Sequence, residues 1–129
     1  TSGLIDPGRL LWGERAARIA GRRYERPTVD LDALPGDIGA WVDARRRPKV
    51  LVATQTRTVE AAADHRGTTV PLTPVIAIHP YDAADVDRIV ATLSSDRTTA
   101  WARRHYAGTG LGRGAIKLSA RQVLAVPLV

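Results

Sequence analysis

The sequence predicts an α+β fold, a single domain in which a mixed β-sheet or hairpin combines with several short helices. Lys49–Ala53 is a short apolar stretch rich in β-branched residues, which is typical of a buried strand. Residues 82–93 instead carry apolar side chains at the spacing of an amphipathic helix. Frequent glycine and proline in the first third of the chain leave room there only for short elements.

The 129 residues suffice for one compact core but are few for two ordinary domains. We therefore expect residues 1–129 to form one domain, with an irregular N-terminal portion over residues 1–47 and a core portion over residues 48–129. Within the irregular portion, residues 14–19 could form one or two helical turns. A short amphipathic helix is expected after the Pro35-Gly36 turn signal, with one face formed by Ile38, Trp41, Val42 and Arg45.

The middle of the chain predicts further strands. Residues 58–64 and 68–70 are expected to pair as a hairpin through a turn at Gly67, although the alanine-rich residues 59–63 could equally be helical. Residues 75–78 form another apolar strand, and the two prolines before it are typical of a sheet edge or a bend.

Two helices and a short tail complete the prediction. The first helix covers residues 82–93 and is capped by Asp82, and the second covers 97–106, begins after a Ser95 or Asp96 cap and stops at Gly108. Residues 115–118 predict a short strand, which leads into a helical turn capped by Ser119 and an extended end.

Composition excludes several classes of protein. With no Cys, disulfides and thiolate zinc sites are excluded. No apolar stretch is long enough to span a membrane, and the first residues lack the pattern of a signal peptide, so no membrane partner and a cytoplasmic location are expected. The net charge is +6, and all but two of the 19 basic residues are Arg, which favours an acidic polymer as partner. A GC-rich genome would explain the same arginine bias.

Basic residues cluster just before the predicted strand. Arg45, Arg46, Arg47 and Lys49 could converge on a phosphate backbone. The alternative is a solvated charge run at a helix end, where positive charge also suits the helix dipole.

The segment after that strand contains the best candidates for base recognition. Thr54, Gln55 and Arg57 place a hydroxyl, a carboxamide and a guanidinium on what is expected to be an exposed loop. Gln pairs through two hydrogen bonds with adenine, and Arg does so with guanine. An ordinary polar connection between two strands is the competing interpretation.

A glycine-rich segment over residues 108–114 lets the backbone approach a ligand closely. Its spacing matches neither a Walker loop nor a Rossmann fingerprint, so a dinucleotide site is not expected. A loop that lays Arg113 and Lys117 along DNA, with Arg121 beyond them, competes with a plain helix-to-strand connection.

No catalytic or metal-binding residues are predicted. The three histidines form no metal-type pair or HExxH pattern, no serine has a nucleophile context, and the aspartates near residue 85 resemble a helix start. The tryptophans, at positions 12, 41 and 101, are expected in the core, with stacking on bases as the alternative.

Several stretches together resemble a known family. Residues 48–57, with a hairpin after them, are similar to the opening of the C-terminal specificity domain of TaqI-like adenine-N6 DNA methyltransferases and fused restriction-modification enzymes. Residues 90–94 and 101–128 resemble its closing pattern, in which two helices lead through a Gly-rich loop to a strand, a short helix and a final Pro-containing segment. Residues 3–13 resemble the segment that lies directly after the catalytic domain in actinobacterial members.

The resemblance implies a target-recognition domain that binds double-stranded DNA opposite a separate catalytic methyltransferase domain or subunit. In that family the catalytic domain binds S-adenosylmethionine and holds an Asn-Pro-Pro-Tyr/Phe motif. Ile78-His79-Pro80-Tyr81 lacks the required Asn, so no cofactor and no catalysis are expected in this chain. Two alternatives stay open: a basic protein-protein interaction module or subunit, and a small enzyme with an unrecognised site.

Overall fold

The computed structural model, which describes residues 1–106 and 114–128, is an α+β fold of short helices and small antiparallel sheets. The strands are β1 (Ile5–Asp6), β2 (Arg9–Leu10), β3 (Ala17–Ile19), β4 (Arg22–Tyr24), β5 (Lys49–Ala53), β6 (Gln55–Thr56), β7 (Glu60–Asp64), β8 (Ile76–Ile78) and β9 (Ile116–Lys117). The helices are α1 (Gly36–Asp43), α2 (Val86–Leu93), α3 (Asp96–Tyr106) and α4 (Ala120–Leu124).

A three-stranded antiparallel sheet in the order β7-β5-β8 forms the centre of the fold. All five residues of β5 are buried, because β5 has a strand on either side and other parts of the chain pack against both of its faces. Val52 lies opposite Ala61 on one side and Ile76 on the other. The sheet confirms the predicted strand over 49–53 and places the strand predicted over 75–78 at an edge.

The two faces of this sheet pack against different parts of the chain. On one face, Val50 and Val52 belong to a cluster with α2, α3 and the C-terminal segment. On the other face, Leu51 and Ala62 pack with Ile5 from the N-terminal hairpin of β1 and β2. Because successive strand residues point to opposite faces, a continuous apolar strand is what a sheet covered on both sides requires.

Both central helices begin as the sequence predicts. The Asp82 carboxylate accepts a hydrogen bond from the Ala84 N–H at 2.9 Å and starts a turn of 3-10 helix that continues into α2. The Ser95 hydroxyl accepts one from the Thr98 N–H at 3.2 Å at the start of α3. The predicted end at Gly108 lies outside the described residues.

The tail also agrees with the prediction. The Ser119 hydroxyl accepts a hydrogen bond from the Gln122 N–H at 3.3 Å, and the Gln122 side chain accepts one from the Ser119 N–H at 2.8 Å. This reciprocal pair is a capping box, which starts α4 immediately after β9.

Two local predictions were wrong. Residues 14–19, for which one or two helical turns were considered, instead end in β3, the first strand of a β3–β4 hairpin whose two turn residues, Ala20 and Gly21, have φ of 50° and 79°. Positive φ at both turn positions suits the right-handed twist of a hairpin. Residues 68–70 form no strand, and β7 pairs with β5 instead. The alternative of a helix over 59–63 is excluded by the same pairing.

A buried ion pair joins the first residue of β5 to the last residue of β7. Lys49 is 0% exposed and Asp64 is 6% exposed, and the Lys49 Nζ lies 2.6 Å from the Asp64 Oδ2. Lys49 Nζ also donates to the Arg45 carbonyl at 3.1 Å. Asp64 in turn accepts backbone hydrogen bonds from Gly67 at 2.9 Å and Thr69 at 3.0 Å. The pair therefore holds both the end of α1 and the turn after β7.

Ionisation of the Asp64 carboxyl is favoured in the folded state. Burial alone would raise the pKa of Asp64, but hydrogen bonds from Lys49 and Thr69, together with the Lys49 charge, hold that pKa below its usual value. The carboxylate then stays charged at neutral pH, and its stabilising effect is lost only as the pH falls through this lowered pKa.

Asp64→Asn is expected to lower the free energy of unfolding by about 3 kcal/mol, because it leaves the Lys49 charge buried without a partner. Urea unfolding followed by circular dichroism measures the change. Asp87→Asn, which alters a contact between the exposed side chains of Asp87 and His65, is the matched control and is expected to lower that free energy by less than about 0.5 kcal/mol. Equal losses for the two variants would contradict a structural role for the buried pair.

Gly67 packs directly beneath the Arg47 backbone. It has φ of 68°, and a Cβ at this position would lie 2.5 Å from the Arg47 Cα. Gly21 has a similar φ of 79° but nothing within 4 Å of the same position.

Gly21→Ala is therefore expected to lower the free energy of unfolding by about 1 kcal/mol, solely because alanine disfavours the left-handed backbone conformation at this position. Gly67→Ala is expected to lower the free energy of unfolding by about 2 kcal/mol more than Gly21→Ala does, because the added methyl group must also displace the Arg47 backbone. Thermal or urea unfolding of the two variants separates these effects, and similar losses would show that the close approach is relieved without cost.

Candidate nucleic-acid interface

Two residues predicted to contact DNA meet in a short strand pair. Gln55 in β6 lies opposite Lys117 in β9, and Thr56 lies opposite Ile116. The Leu118 N–H extends the pairing by donating to the Thr54 carbonyl at 3.1 Å. Gln55 therefore lies in a two-residue strand rather than in the expected loop, and the pairing with β9 holds its backbone in position.

Helix α3 adds a cation beside this pair. Arg103 donates from a guanidinium nitrogen to the Arg57 carbonyl at 3.0 Å, and α3 also packs against β9. The exposed side chains of Gln55 and Arg57 make no hydrogen bond or ion pair with any described residue. We call the group Gln55, Arg57, Arg103 and Lys117 the basic edge.

Two of the predicted contacts are not at the surface. Lys49 is completely buried in its ion pair with Asp64, so its ammonium cannot reach a phosphate. Thr54 is 5% exposed, and its hydroxyl donates to the Pro74 carbonyl at 2.7 Å. The structure corrects both predictions: these polar groups are satisfied inside the fold, as buried polar groups must be.

The arginine run lies apart from the basic edge. Arg45, Arg46 and Arg47 precede β5, whereas Gln55 and Arg57 come after it, so the length of one strand, about 16 Å, separates the two groups. Each of the three has an intramolecular contact: Arg45 with Trp41, Arg46 with Asp43, and Arg47 with His79.

The remaining predicted contacts lie near the C-terminus. Arg121 is exposed in α4, four residues after Lys117. Arg113 lies outside the described residues. Arg121 is therefore close to Lys117 of the basic edge along the sequence.

Helix α3 carries arginines that the sequence-based prediction missed. Arg97, Arg103 and Arg104 are all exposed. Arg97 and Arg104 line a small cleft of about 300 Å³ together with Trp101 and Pro127. The signal was available in the sequence, because residues seven apart lie on the same side of a helix and Trp101 falls between them.

The prediction that all three tryptophans are core residues was wrong for two of them. Trp12 is 43% exposed, and its indole N–H donates to the Pro27 carbonyl at 2.9 Å. Trp41 is 45% exposed, with the Arg45 guanidinium 3.8 Å from its ring centre. Trp101 packs partly buried against the main core and 4.7 Å from the ring of His105.

Within residues 1–106 and 114–128, no helix is long and apolar enough to cross a membrane. The same described part of the chain contains no group of three side chains placed to hold a metal ion. The basic edge provides hydrogen-bond donors and positive charge. These groups suit anions such as phosphate and the hydrogen-bond acceptors on the edges of bases.

Comparison with known proteins gives no relative: no family model, no curated protein and no solved structure matches this chain. The resemblance to TaqI-like specificity domains therefore stays a prediction. Function has to be argued from the basic edge itself.

Proposed function

We propose that this chain is the target-recognition domain of a TaqI-like adenine-N6 DNA methyltransferase of a restriction-modification or related system, and that it binds duplex DNA without catalysing a reaction. S-adenosylmethionine and methyl transfer would belong to a separate catalytic domain or subunit, and the partners would meet in the cytoplasm. The observation that carries the proposal is the pairing of Gln55 with Lys117 beside Arg57 and Arg103.

The chemistry of the basic edge divides into two tasks. The carboxamide of Gln55 and the guanidinium of Arg57, neither of them paired with a described residue, can form two-point contacts with adenine and guanine. Arg103, Lys117 and Arg121 add positive charge for phosphates, which fixes orientation but carries no sequence information.

The geometry of β6 and β9 suits this division. A two-stranded ribbon is narrow enough to enter the major groove of DNA, which is about 12 Å wide. The pairing with β9 and the hydrogen bond from α3 hold the backbone of β6 and of Arg57 in place. Less conformational freedom is therefore lost when Gln55 and Arg57 bind.

The second candidate is a protein-interaction module with an acidic partner. It is favoured by the arginine run, where Arg45 and Arg47 have no carboxylate partner among the described residues. The two functions use different parts of the surface and predict different partners.

Duplex DNA is expected to bind with a steep dependence on salt. With three phosphate contacts, affinity should fall about 40-fold between roughly 50 and 200 mM salt, because each neutralised phosphate releases counterions. Fluorescence anisotropy of a labelled mixed-sequence duplex measures the slope. Absence of binding even at low salt would contradict the proposal.

Gln55→Ala and Arg57→Ala are expected to relax base preference at single positions of the target by about 1 to 3 kcal/mol each. Selection from a random duplex pool, with each variant in the full methyltransferase, measures the preference. Arg22→Ala is the control for lost charge, since Arg22 is exposed on β4, which belongs to a different sheet from β6 and β9. Unchanged sequence preference in both variants would exclude base recognition by these residues.

A further inference from the structure

The two edges of the central sheet differ. The outer edge of β7 is closed by hydrogen bonds around Ala61: the Ala61 N–H donates to the Ser94 hydroxyl at 3.3 Å, and the Ala61 carbonyl accepts from the Gly8 N–H at 2.7 Å. The Val59 N–H donates to the Thr99 hydroxyl at 3.0 Å. Ser94 after α2, Thr99 of α3 and Gly8 of the N-terminal hairpin thus satisfy the part of this edge around Val59 and Ala61, which could otherwise pair with another strand.

The outer edge of β8 is open. Because the Ala61 backbone faces away from β5, the backbone of Val52 opposite it faces β8, where it pairs with Ile76. By alternation along the strand, Ile78 also faces β5, and the N–H and carbonyl of Ala77 face outward. Neither group of Ala77 has a hydrogen-bond partner among the described residues outside this sheet.

A cleft of about 550 Å³ runs along this open edge. Trp41, Arg45 and Arg47 line it on the side of α1, and Thr73 and Ala120 belong to its lining beside β8. Because the edge lies within a cleft, a single extended chain can reach it more readily than the edge of a second sheet can.

The cleft is positively charged. Among the described residues that line it there is no Asp or Glu. Arg45 lies against the Trp41 ring, and the Arg47 Nε donates to the His79 Nδ1 at 3.1 Å, so neither guanidinium is neutralised by a carboxylate. The pKa of His79 is lowered, first by burial and then by the charges of Arg47, Lys49 and Arg45. The positive charge of the cleft near neutral pH therefore comes from its arginines.

We propose that the open edge of β8 binds an extended acidic peptide segment, which adds to the sheet as a further strand. Its backbone pairs with the outward N–H and carbonyl of Ala77, and its carboxylates contact Arg45 and Arg47. This is the strand-addition mode of peptide recognition, in which backbone hydrogen bonds give affinity and flanking side chains give selectivity. The site goes beyond the proposed DNA function, because it takes a different partner and uses different residues.

The probe is a short fluorescent peptide of alternating Glu and Val, titrated with the full chain by anisotropy. The same peptide with N-methyl groups along its backbone is expected to bind at least about tenfold more weakly, because it can no longer donate to the sheet edge. A peptide with Lys in place of Glu is expected not to bind. Equal binding of the N-methylated peptide would overturn strand addition without any change to the protein.

Protein variants test the same contacts. Ala77→Pro removes the outward N–H, which an edge strand tolerates, and is expected to weaken peptide binding about tenfold. Arg45→Gln and Arg47→Gln are expected to weaken it severalfold each. Arg46→Gln is the matched control, because Arg46 pairs with Asp43 and does not line the cleft. Equal effects at positions 45, 46 and 47 would reduce the site to general electrostatic attraction and overturn the proposal.

The two proposals fail independently. Gln55→Ala and Arg57→Ala are expected to change DNA binding and leave the peptide titration unchanged, whereas the Ala77→Pro variant is expected to do the reverse. If single-stranded DNA displaced the peptide and bound more tightly, or if the chain dimerised through β8 and lost peptide binding, the acidic-peptide assignment would be wrong.

Discussion

The buried Lys49–Asp64 ion pair is the constraint on which the arrangement of the surface depends. Lys49 holds the end of α1 through the Arg45 carbonyl, and Asp64 holds the turn that brings Gly67 beneath Arg47. A neutral pair could fill the same volume, but it would not gather backbone acceptors from residues 45–47 and backbone donors from residues 67–69 at once. The lysine that seemed suited to DNA in the sequence therefore serves to position the arginines before it.

The polar residues fall into two groups at opposite ends of β5. One group combines a carboxamide with cations on short strands and α3, and the other combines Trp41 and two arginines with an open strand edge. These arrangements suit different ligands, since base edges need projecting side chains and an extended peptide needs free backbone groups. The segments before and after β5 thus belong to two surfaces of different chemistry.

The sequence allowed the apolar elements to be predicted, because their signals are local. The β-branched residues of β5 and the spacing within α2 reflect burial that each element determines by itself. The β3–β4 hairpin was missed because it depends on a positive φ at Ala20, which alanine rarely adopts. The candidate site was only partly predictable: Gln55 and Lys117 were selected singly, but their pairing depends on tertiary structure, as does the burial of Lys49.

The pairing of β6 with β9 joins the middle of the chain to its end through a ladder of only two residue pairs. Contacts between distant residues form late, after the loop between them has been closed at a cost in chain entropy. A ligand that spans both strands would join the same two segments, and its binding free energy would add to the stability of the folded chain.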